Sequence, residues 1–271
     1  MLRASRHWRS DGRSIGLVPT MGALHAGHLS LVDLARREND VVVVSIFVNP
    51  IQFGAGEDFS RYPRDTARDE GLLHEAEVDA IYEPSTEVMY PIGASTRVHV
   101  GAVAEPLEGA ARPGHFEGVA TVVTKLFAAV EPDRAYFGQK DAQQVAVVKR
   151  LVADLDLGLE IRVVPTVREA DGLALSSRNV YLDPAERKAA KSLSAALRSA
   201  ANAYAAGERD PEALRGLLIT RLMAEPLVAI DYAEVVDPAT FRKPGPLAVI
   251  AARLGKTRLI DNHDLRLPFP G

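Results

Sequence analysis

The chain has no cysteine among its 271 residues. This absence excludes disulfides, thiolate metal sites and cysteine nucleophiles. No apolar run approaches the roughly 20 residues that a membrane-spanning helix needs. The first residues are basic, but the apolar segment of a secretory signal does not follow them. The sequence therefore predicts a soluble, cytoplasmic protein with no membrane partner.

An excess of positive charge is also missing. The chain has 32 Lys and Arg against 36 Asp and Glu, a formal net charge of -4. Proteins that follow a nucleic-acid backbone usually carry a basic excess, so no nucleic-acid partner is expected. The composition, 47% hydrophobic and 25% charged, is that of a globular protein long enough for one large or two smaller domains.

Short β-branched segments alternate with segments of helical periodicity over the first part of the chain. IGLVP (15–19) and VVVVSIFV (41–48) are too short for helices and too apolar for half-exposed strands, which predicts buried parallel strands. Further strands are predicted over 79–82, 134–137 and 160–164, and helices over 28–39, 65–77, 117–129 and 142–153. This alternation predicts an α/β fold with a Rossmann-like, doubly wound parallel sheet.

The pattern changes near Thr166. Residues 184–206 and 211–223 have helical periodicity, and the strand-like stretches DYAEVVD, LAVIAARL and TRLIDN follow them. Helices followed by a run of strands predict a separate α+β domain. We therefore expect a Rossmann-like domain over residues 1–166 and a smaller C-terminal α+β domain over residues 167–271.

Two histidines follow the first predicted strand, in PTMGALHAGHLSL (19–31). Residues 20–27 are predicted to form a loop, and a helix is predicted to begin near His28. The N–H groups and dipole of a helix N-terminus favour anions, so His25 and His28 can donate to a phosphate. Two structural alternatives remain: Gly27 serves only the turn, and His28 only the helix cap. A metal site is less favoured, because two histidines without a third ligand rarely bind zinc.

FVNPIQFGAGEDFSRYPRD (47–65) follows the second predicted strand and opens on the same edge of the sheet. Asn49 and Gln52 can hold a small polar substrate without adding charge. Asp58, Arg61 and Asp69 are either solvated charges or help to hold Mg²⁺, and the pattern does not rank them.

Three further segments suit anionic groups. In FGQKDAQQ (137–144), Lys140 follows a strand and a glycine, where it can supply a mobile charge to phosphates. Asp141 either caps the next helix or meets a ribose or a metal-bound water. The SSRN loop (176–179) offers two hydroxyls and an arginine for terminal phosphates. Arg112, in EGAARPGHFEG (108–118), suits a small carboxylate, and a structural role for His115 is as well supported as a functional one.

Taken together, these motifs resemble those of a known enzyme family. PTMGALHxGH, FVNPxQFG with YPR, RPGHFxGV, FGQKDxQQ, READGLAxSSRN and ARLGKTRLIDN appear in the order of the pantoate–β-alanine ligases, within the HIGH-type nucleotidyltransferase-like superfamily. The resemblance extends from about residue 15 to residue 262. It implies ATP-dependent condensation of pantoate with β-alanine to pantothenate, a step of coenzyme A biosynthesis, through a pantoyl adenylate, with release of AMP and pyrophosphate. It also implies Mg²⁺ and a homodimer formed through the N-terminal domain. Because an open site would hydrolyse the adenylate, we expect the C-terminal domain to close over the cleft as a lid.

The resemblance assigns the site residues by position. Those implied in catalysis are His25, His28, Lys140 and Arg178. Those implied in ATP binding are Pro19, Thr20, Met21, His25, Gly27, His28, Gly138, Lys140, Asp141, Val167, Leu175, Ser176, Ser177 and Arg178. Pantoate would bind Met21, Gln52 and Gln144, and β-alanine would bind Asn49, Gln52 and Arg112. Asp69 is the predicted metal ligand, on the ATP-bound Mg²⁺.

The sequence departs from the family pattern in two places. The segment before Ile15 is shorter, which predicts that the usual first helix is clipped or absent and that the sheet edge is weaker. Leu175 stands where methionine is frequent. Three other functions are weighed: an adenylyltransferase that keeps AMP on its product, an RNA-binding synthetase-like module, and a silent nucleotide-binding regulator. FVNPxQF and RPGHF distinguish the ligase from the first, the acidic balance counts against the second, and the intact polar set counts against the third.

Overall fold

The computed structural model describes residues 1–270 and divides into two compact units. The first unit consists of Met1–Gly138 and Gln144–Pro165, and the second of Gln139–Gln143 and Thr166–Gly271. The short segment Gln139–Gln143 therefore groups with the C-terminal part of the chain. Sequence periodicity does not indicate that this segment belongs to the second unit, because the grouping depends on contacts between residues that are distant in the chain.

The first unit is built on a parallel sheet of five strands in the order β3-β2-β1-β4-β5. The strands are β1 (Ile15–Thr20), β2 (Val41–Ile46), β3 (Ala80–Tyr82), β4 (Arg134–Gly138) and β5 (Glu160–Val164). Strand order reverses at β1, which pairs with both β2 and β4. In doubly wound sheets, ligands bind at the carboxyl ends of the strands beside such a reversal. The predicted Rossmann-like sheet is confirmed.

Helices connect and flank these strands. They are α1 (Leu2–Ser10), α2 (Ala26–Glu38), α3 (Thr66–Glu75), α4 (Thr86–Met89), α5 (Glu108–Ala111), α6 (His115–Val130) and α7 (Ala142–Asp154). Val42 and Val44 of β2 pack with Leu31 and Val32 of α2 in one hydrophobic cluster, and all four are buried. This explains the continuous apolar run of β2, since a parallel strand covered on both faces has no polar side.

Of the two alternatives predicted for the first helix, its absence is wrong, and a clipped helix stays a prediction. α1 is present, and Arg9 at its last turn donates to the carbonyl oxygen of Glu131 at 2.7 Å. The Asp133 carboxylate accepts from the backbone N–H of Ile15 at 2.7 Å, which ties the start of β1 to the loop before β4. Since β1 is the central strand, the segment before it does not border a sheet edge.

The second unit contains helices α8 (Pro184–Ala189), α9 (Lys191–Ala205) and α10 (Pro211–Met223). They precede an antiparallel sheet in the order β6-β7-β8, with β6 (Val228–Val236), β7 (Leu247–Leu254) and β8 (Thr257–Asp264). Leucines of α9 and α10 pack with alternate residues of β7 in one buried cluster. The predicted smaller α+β domain is confirmed. Within residues 1–270, no helix combines the length and the apolar composition needed to cross a membrane.

Candidate active site

His25 and His28 lie at the start of α2, in the loop that leaves the carboxyl end of β1. The helix begins at Ala26, two residues earlier than predicted, because His25 itself is the N-cap. Nδ1 of His25 accepts from the backbone N–H of Gly27 at 3.1 Å, and Nδ1 of His28 accepts from the backbone N–H of His25 at 3.3 Å. The two rings, with centroids 4.1 Å apart, thus form a reciprocal capping box.

Capping determines which nitrogen of each ring carries the proton. A neutral imidazole has one donor and one acceptor nitrogen, and Nδ1 is the acceptor in both His25 and His28. The proton of the neutral ring is therefore on Nε2, and Nε2–H is its donor. The capping role and the predicted phosphate-donor role use different nitrogens, so one does not exclude the other.

The loop between β1 and α2 is held by Asp69 of α3. Its carboxylate accepts from the backbone N–H of Ala23 at 2.7 Å and of Leu24 at 2.8 Å, and the residue is 1% exposed. Residues 1–270 contain no cluster of three or more histidine, aspartate or glutamate side chains suited to a metal ion. The residues around Asp69 therefore do not fit a metal held by protein side chains, and its predicted role as a Mg²⁺ ligand stays a prediction.

Gln52 and Asn49 lie after β2, in the turn that follows its carboxyl end. Nε2 of Gln52 donates to the sulfur of Met21 at 3.0 Å, which joins this turn to the loop after β1. Nδ2 of Asn49 donates to Oε1 of Gln52 and to the carbonyl oxygen of Gly118, both at 3.0 Å. Oδ1 of Asn49 accepts from the Tyr90 hydroxyl at 2.8 Å. The Asn49 amide is thus hydrogen-bonded on both sides within the protein.

Arg112 and His115 extend this network at the start of α6. Nη1 of Arg112 is 3.0 Å from Nε2 of His115, whose Nδ1 is 2.9 Å from the carbonyl oxygen of Gln52. Since a carbonyl can only accept, Nδ1 carries the proton and Nε2 accepts from Arg112. Burial lowers the pKa of His115 to about 4, and the charge of Arg112 acts in the same direction. A neutral His115 therefore links Arg112 to Gln52.

The remaining predicted residues of the first unit border the same strand ends. Pro19 and Thr20 close β1, and the Thr20 hydroxyl donates to the carbonyl oxygen of Ser45 in β2 at 2.7 Å. Gly27 lies in the first turn of α2, Gly138 ends β4, and Gln144 is half-buried in the first turn of α7. The residues predicted to bind pantoate and β-alanine, and some of those predicted to bind ATP, therefore lie in the first unit.

In the second unit, Lys140 and Asp141 lie in a short 3₁₀ turn, Gln139–Asp141. Asn262 of β8 holds this turn: its Nδ2 donates to the carbonyl oxygens of Gln139 at 3.0 Å and of Lys140 at 2.9 Å. Nζ of Lys140 is 3.9 Å from Oδ1 of Asp141. The LIDN motif has no evident role in the sequence, and in the structure its asparagine holds the turn that contains Lys140.

The predicted phosphate loop follows a tight turn in the second unit. The N–H of Leu175 donates to the carbonyl oxygen of Val167 at 3.0 Å, and Ser176 caps the 3₁₀ turn Ser177–Tyr181. Arg168 anchors this segment through two hydrogen bonds to Asp261 of β8, at 2.7 and 2.9 Å. β8 contacts both 3₁₀ turns of this unit, so one strand supports Lys140 and the loop that contains Ser177 and Arg178.

Four residues that the sequence analysis did not assign to the site support it in the structure. Glu57, Tyr90 and Asn262 each contact a predicted site residue or its backbone, and Arg168, next to Val167, contacts Asp261. Their partners lie between 41 and 123 residues away in the chain. Tyr90 has no distinguishing pattern, and Glu57 lies between FVNPxQFG and YPR without being part of either motif. Arg168 and Asn262 fall within READGLAxSSRN and ARLGKTRLIDN, and these motifs are the signal that could have found them.

Comparisons with known proteins point in one direction. The family model for pantoate-beta-alanine ligase matches residues 1–264. The pantothenate synthetase of Herpetosiphon aurantiacus is 54% identical over 265 residues, covering 96% of this chain and 95% of that protein. The crystal structure of pantothenate synthetase from Thermus thermophilus is 49% identical, with a TM-score of 0.91 over 96% of this chain and 97% of that one.

A further solved structure carries ligands. It is pantoate-beta-alanine ligase from Francisella tularensis, complexed with beta-gamma ATP and beta-alanine. That protein is 36% identical to this chain, with a TM-score of 0.81 over 98% of this chain and 96% of that one.

Proposed function

The chain belongs to the pantoate–β-alanine ligase family, and we propose that it condenses pantoate with β-alanine to pantothenate at the expense of ATP. The observation that carries the proposal is the hydrogen-bonded network from Met21 through Gln52 and His115 to Arg112. It lies beside a histidine pair at a helix N-terminus, at the carboxyl ends of parallel strands. This combination offers amide groups and a guanidinium to two small acids, and it offers hydrogen-bond donors to the phosphates of a nucleotide.

The proposed reaction has two steps. A carboxylate oxygen of pantoate attacks the α-phosphorus of ATP, the bond from that phosphorus to the bridging oxygen breaks, and pyrophosphate leaves. The amine of β-alanine then attacks the acyl carbon of the pantoyl adenylate. The acyl C–O bond breaks, AMP leaves, and the amine nitrogen loses a proton as the amide forms. The chain has no cysteine, and we propose no covalent intermediate with the protein.

In the first step, the protein positions the reactants and stabilises charge. Nε2–H of His25 and His28 would donate to phosphate oxygens, and Lys140 and Arg178 would supply positive charge to the leaving pyrophosphate. Preorganised donors of this kind are each worth on the order of 10²–10³ in rate. Ser176 and Ser177 would bind the same phosphates. Thr20, Gly138, Asp141, Val167 and Leu175 would hold the nucleoside.

In the second step, Gln52 and Gln144 would hold the pantoyl group while Arg112 binds the carboxylate of β-alanine. Arginine suits this task because its planar guanidinium matches a carboxylate in two-point geometry. Asn49 would orient the amine. Mg²⁺ would enter as the ion of the ATP phosphates, and we assign no step to it. The homodimer, the cytoplasmic location and the lid role of the C-terminal domain stay predictions.

The decisive experiment combines the protein with ATP, Mg²⁺, pantoate and β-alanine and measures pantothenate, AMP and pyrophosphate. We expect pyrophosphate in a single turnover when pantoate is added, and free AMP only when β-alanine follows. An adenylyltransferase would instead keep AMP on its product after the amine is added. A protein that releases no pyrophosphate with pantoate would contradict the proposal, and so would one that forms AMP without an amine.

Two sets of variants separate the steps. His28→Ala and Lys140→Ala should slow pantoate-dependent pyrophosphate release in a single turnover. Arg112→Ala should raise the KM for β-alanine and leave the first step nearly unchanged. If Arg112→Ala slows both steps equally, the separate amine site that we propose is wrong.

A further inference from the structure

The loop before the histidine pair has an unusual backbone. Gly22 and Ala23 both have positive φ angles, +78° and +50°, in consecutive positions. A non-glycine residue in this region is strained and persists only where its surroundings hold it there. Successive backbone N–H groups in a tight turn can point to the same side and bind an anion. Here the N–H groups of Ala23 and Leu24 point at one carboxylate.

That carboxylate belongs to Asp69, 46 residues further along the chain on α3. Each of its oxygens accepts one of the two N–H groups, and its side chain is 2% exposed. A Cβ atom at position 22 would lie 3.0 Å from Oδ2 of Asp69 and 3.3 Å from the Ile46 side chain. The carboxylate is therefore packed against the loop, and the glycine makes room for it.

The neighbouring Arg68 holds the carbonyl group of one of the same two residues, Leu24. Nη1 of Arg68 donates to the carbonyl oxygen of Leu24 at 3.0 Å, while the Leu24 N–H donates to Asp69. The Leu24 side chain is buried in a cluster with Val18 and Leu31. Leu24 is thus held by its side chain and by both of its backbone polar groups, and the residue that follows it is His25.

We propose that Asp69 is a positioning residue for His25 and His28, and that it acts through the loop backbone rather than through a metal. This inference rests on the proposed adenylation role of the two histidines. The capping box sets the orientation of the two rings relative to α2. The backbone path of residues 22–24 determines the position of the N-cap residue His25. A misplacement of about 1 Å at a reacting centre can cost on the order of 10²-fold in rate.

The test uses Asp69→Asn in the full-length protein. Asparagine has the same shape, but its amide nitrogen cannot accept, so one backbone N–H loses its acceptor and faces a second donor. We expect pantoate-dependent pyrophosphate release in a single turnover to fall by roughly 10- to 100-fold. The second step, measured with preformed pantoyl adenylate and β-alanine, should stay within about twofold, because that step does not use the histidines in the proposed mechanism.

Two further variants complete the design. Arg68→Ala removes the contact to the Leu24 carbonyl and a 3.8 Å ion pair with Asp69. It leaves the Asp69 carboxylate itself in place, and the Arg68 side chain is 54% exposed, so the protein should fold. It should slow the first step in the same direction and by less, which keeps the proposal testable if Asp69→Asn does not fold. Glu70→Gln changes an exposed carboxylate of the same helix and should leave both steps unchanged.

Three results would overturn the inference. Recovery of Asp69→Asn by Mg²⁺ well above its saturating concentration would show that Asp69 is a metal ligand. An equal fall in both steps, in a variant whose circular dichroism spectrum matches that of the unmodified protein, would show that Asp69 supports the whole site and not the histidine pair in particular. An unchanged first step in both Asp69→Asn and Arg68→Ala would show that the loop needs neither anchor. If the unmodified protein released no pyrophosphate with pantoate, the proposed function would fail before this question arose.

Discussion

The guanidinium of Arg112 is held by the carboxylate of Glu57 in a two-point ion pair. Nε donates to Oε1 at 2.8 Å and Nη2 to Oε2 at 2.7 Å, and the two side chains are 14% and 24% exposed. Burial raises the pKa of Glu57, but the hydrogen bonds and charge of Arg112 outweigh it and leave that pKa below its usual value. The geometry that we propose for the substrate carboxylate is therefore occupied by a carboxylate of the protein itself.

Glu57→Gln should strengthen the binding of β-alanine. The neutral amide leaves the guanidinium less tightly held, so an incoming carboxylate displaces it at lower cost. Since a partly exposed ion pair is worth up to about 1 kcal/mol, we expect the KM for β-alanine to fall about threefold to fivefold. Pantoate-dependent pyrophosphate release should not change. A higher KM would show instead that Glu57 orients Arg112 for the substrate.

His25→Asn separates helix capping from phosphate binding. Asparagine is among the best N-cap residues, whereas alanine loses about 1 kcal/mol of stability at this position. We expect His25→Asn to retain more thermal stability than His25→Ala and both variants to slow pyrophosphate release to a similar extent. A first step that is normal in His25→Asn and slow in His25→Ala would show that His25 acts only as a cap.

The buried His115 should make the protein sensitive to acid. Its pKa is lowered from 6.5 to about 4, so the unfolded chain binds this proton more readily than the folded chain. Stability from this group is then complete above about pH 6.5 and is lost as the pH falls through 4, with a total of about 3 kcal/mol. His115→Asn should lower stability at pH 7, yet lose less between pH 6.5 and 4. Urea unfolding over this pH range would measure both slopes, and equal slopes would contradict the prediction.

Gly118 is needed because α6 passes very close to the turn after β2. A Cβ atom at this position would lie 2.6 Å from Cα of Gln52 and from the carbonyl oxygen of Ile51. We expect Gly118→Ala to destabilise the fold by about 1–3 kcal/mol and to weaken pantoate binding as Gln52 moves. The matched control is Gly216→Ala in α10, where a Cβ would have no neighbour within 4 Å. It should stabilise the protein by about 0.5–1 kcal/mol in chemical denaturation.

Asn262→Asp should impair the use of ATP through Lys140. The amide donates to two carbonyl oxygens of the Gln139–Asp141 turn, and a carboxylate there would repel both. Loss of two hydrogen bonds of about 1 kcal/mol each predicts a KM for ATP that is about 10- to 30-fold higher. The reaction of preformed pantoyl adenylate with β-alanine should be nearly unchanged. Asn202→Asp, on the exposed side of α9, serves as the control. An unaltered KM for ATP would show that Lys140 does not depend on Asn262.

The local sequence pattern was sufficient to predict most helices and strands of the fold. The predicted strand over 160–164 and the predicted stretch LAVIAARL coincide with β5 and β7 as observed. Both depend on short-range side-chain periodicity, which burial on one or two faces imposes. The start of α2 was misplaced by two residues, because histidine is an unusual N-cap and its capping geometry has no sequence signal of its own.

The amino-acid sequence by itself determined the fold class, the succession of most helices and strands, and the family, since these depend on periodicity and on motifs of adjacent residues. Only the tertiary structure decided which groups support the site. Asp69 reaches the loop after β1 from 46 residues away, Glu57 reaches Arg112 across 55, and Asn262 reaches Lys140 across 122. Such contacts depend on the order of strands and on the packing of α3, α6 and β8 against their neighbours. Hydrogen bonds act over about 3 Å in space whatever the distance along the chain, so folding alone brings these partners together.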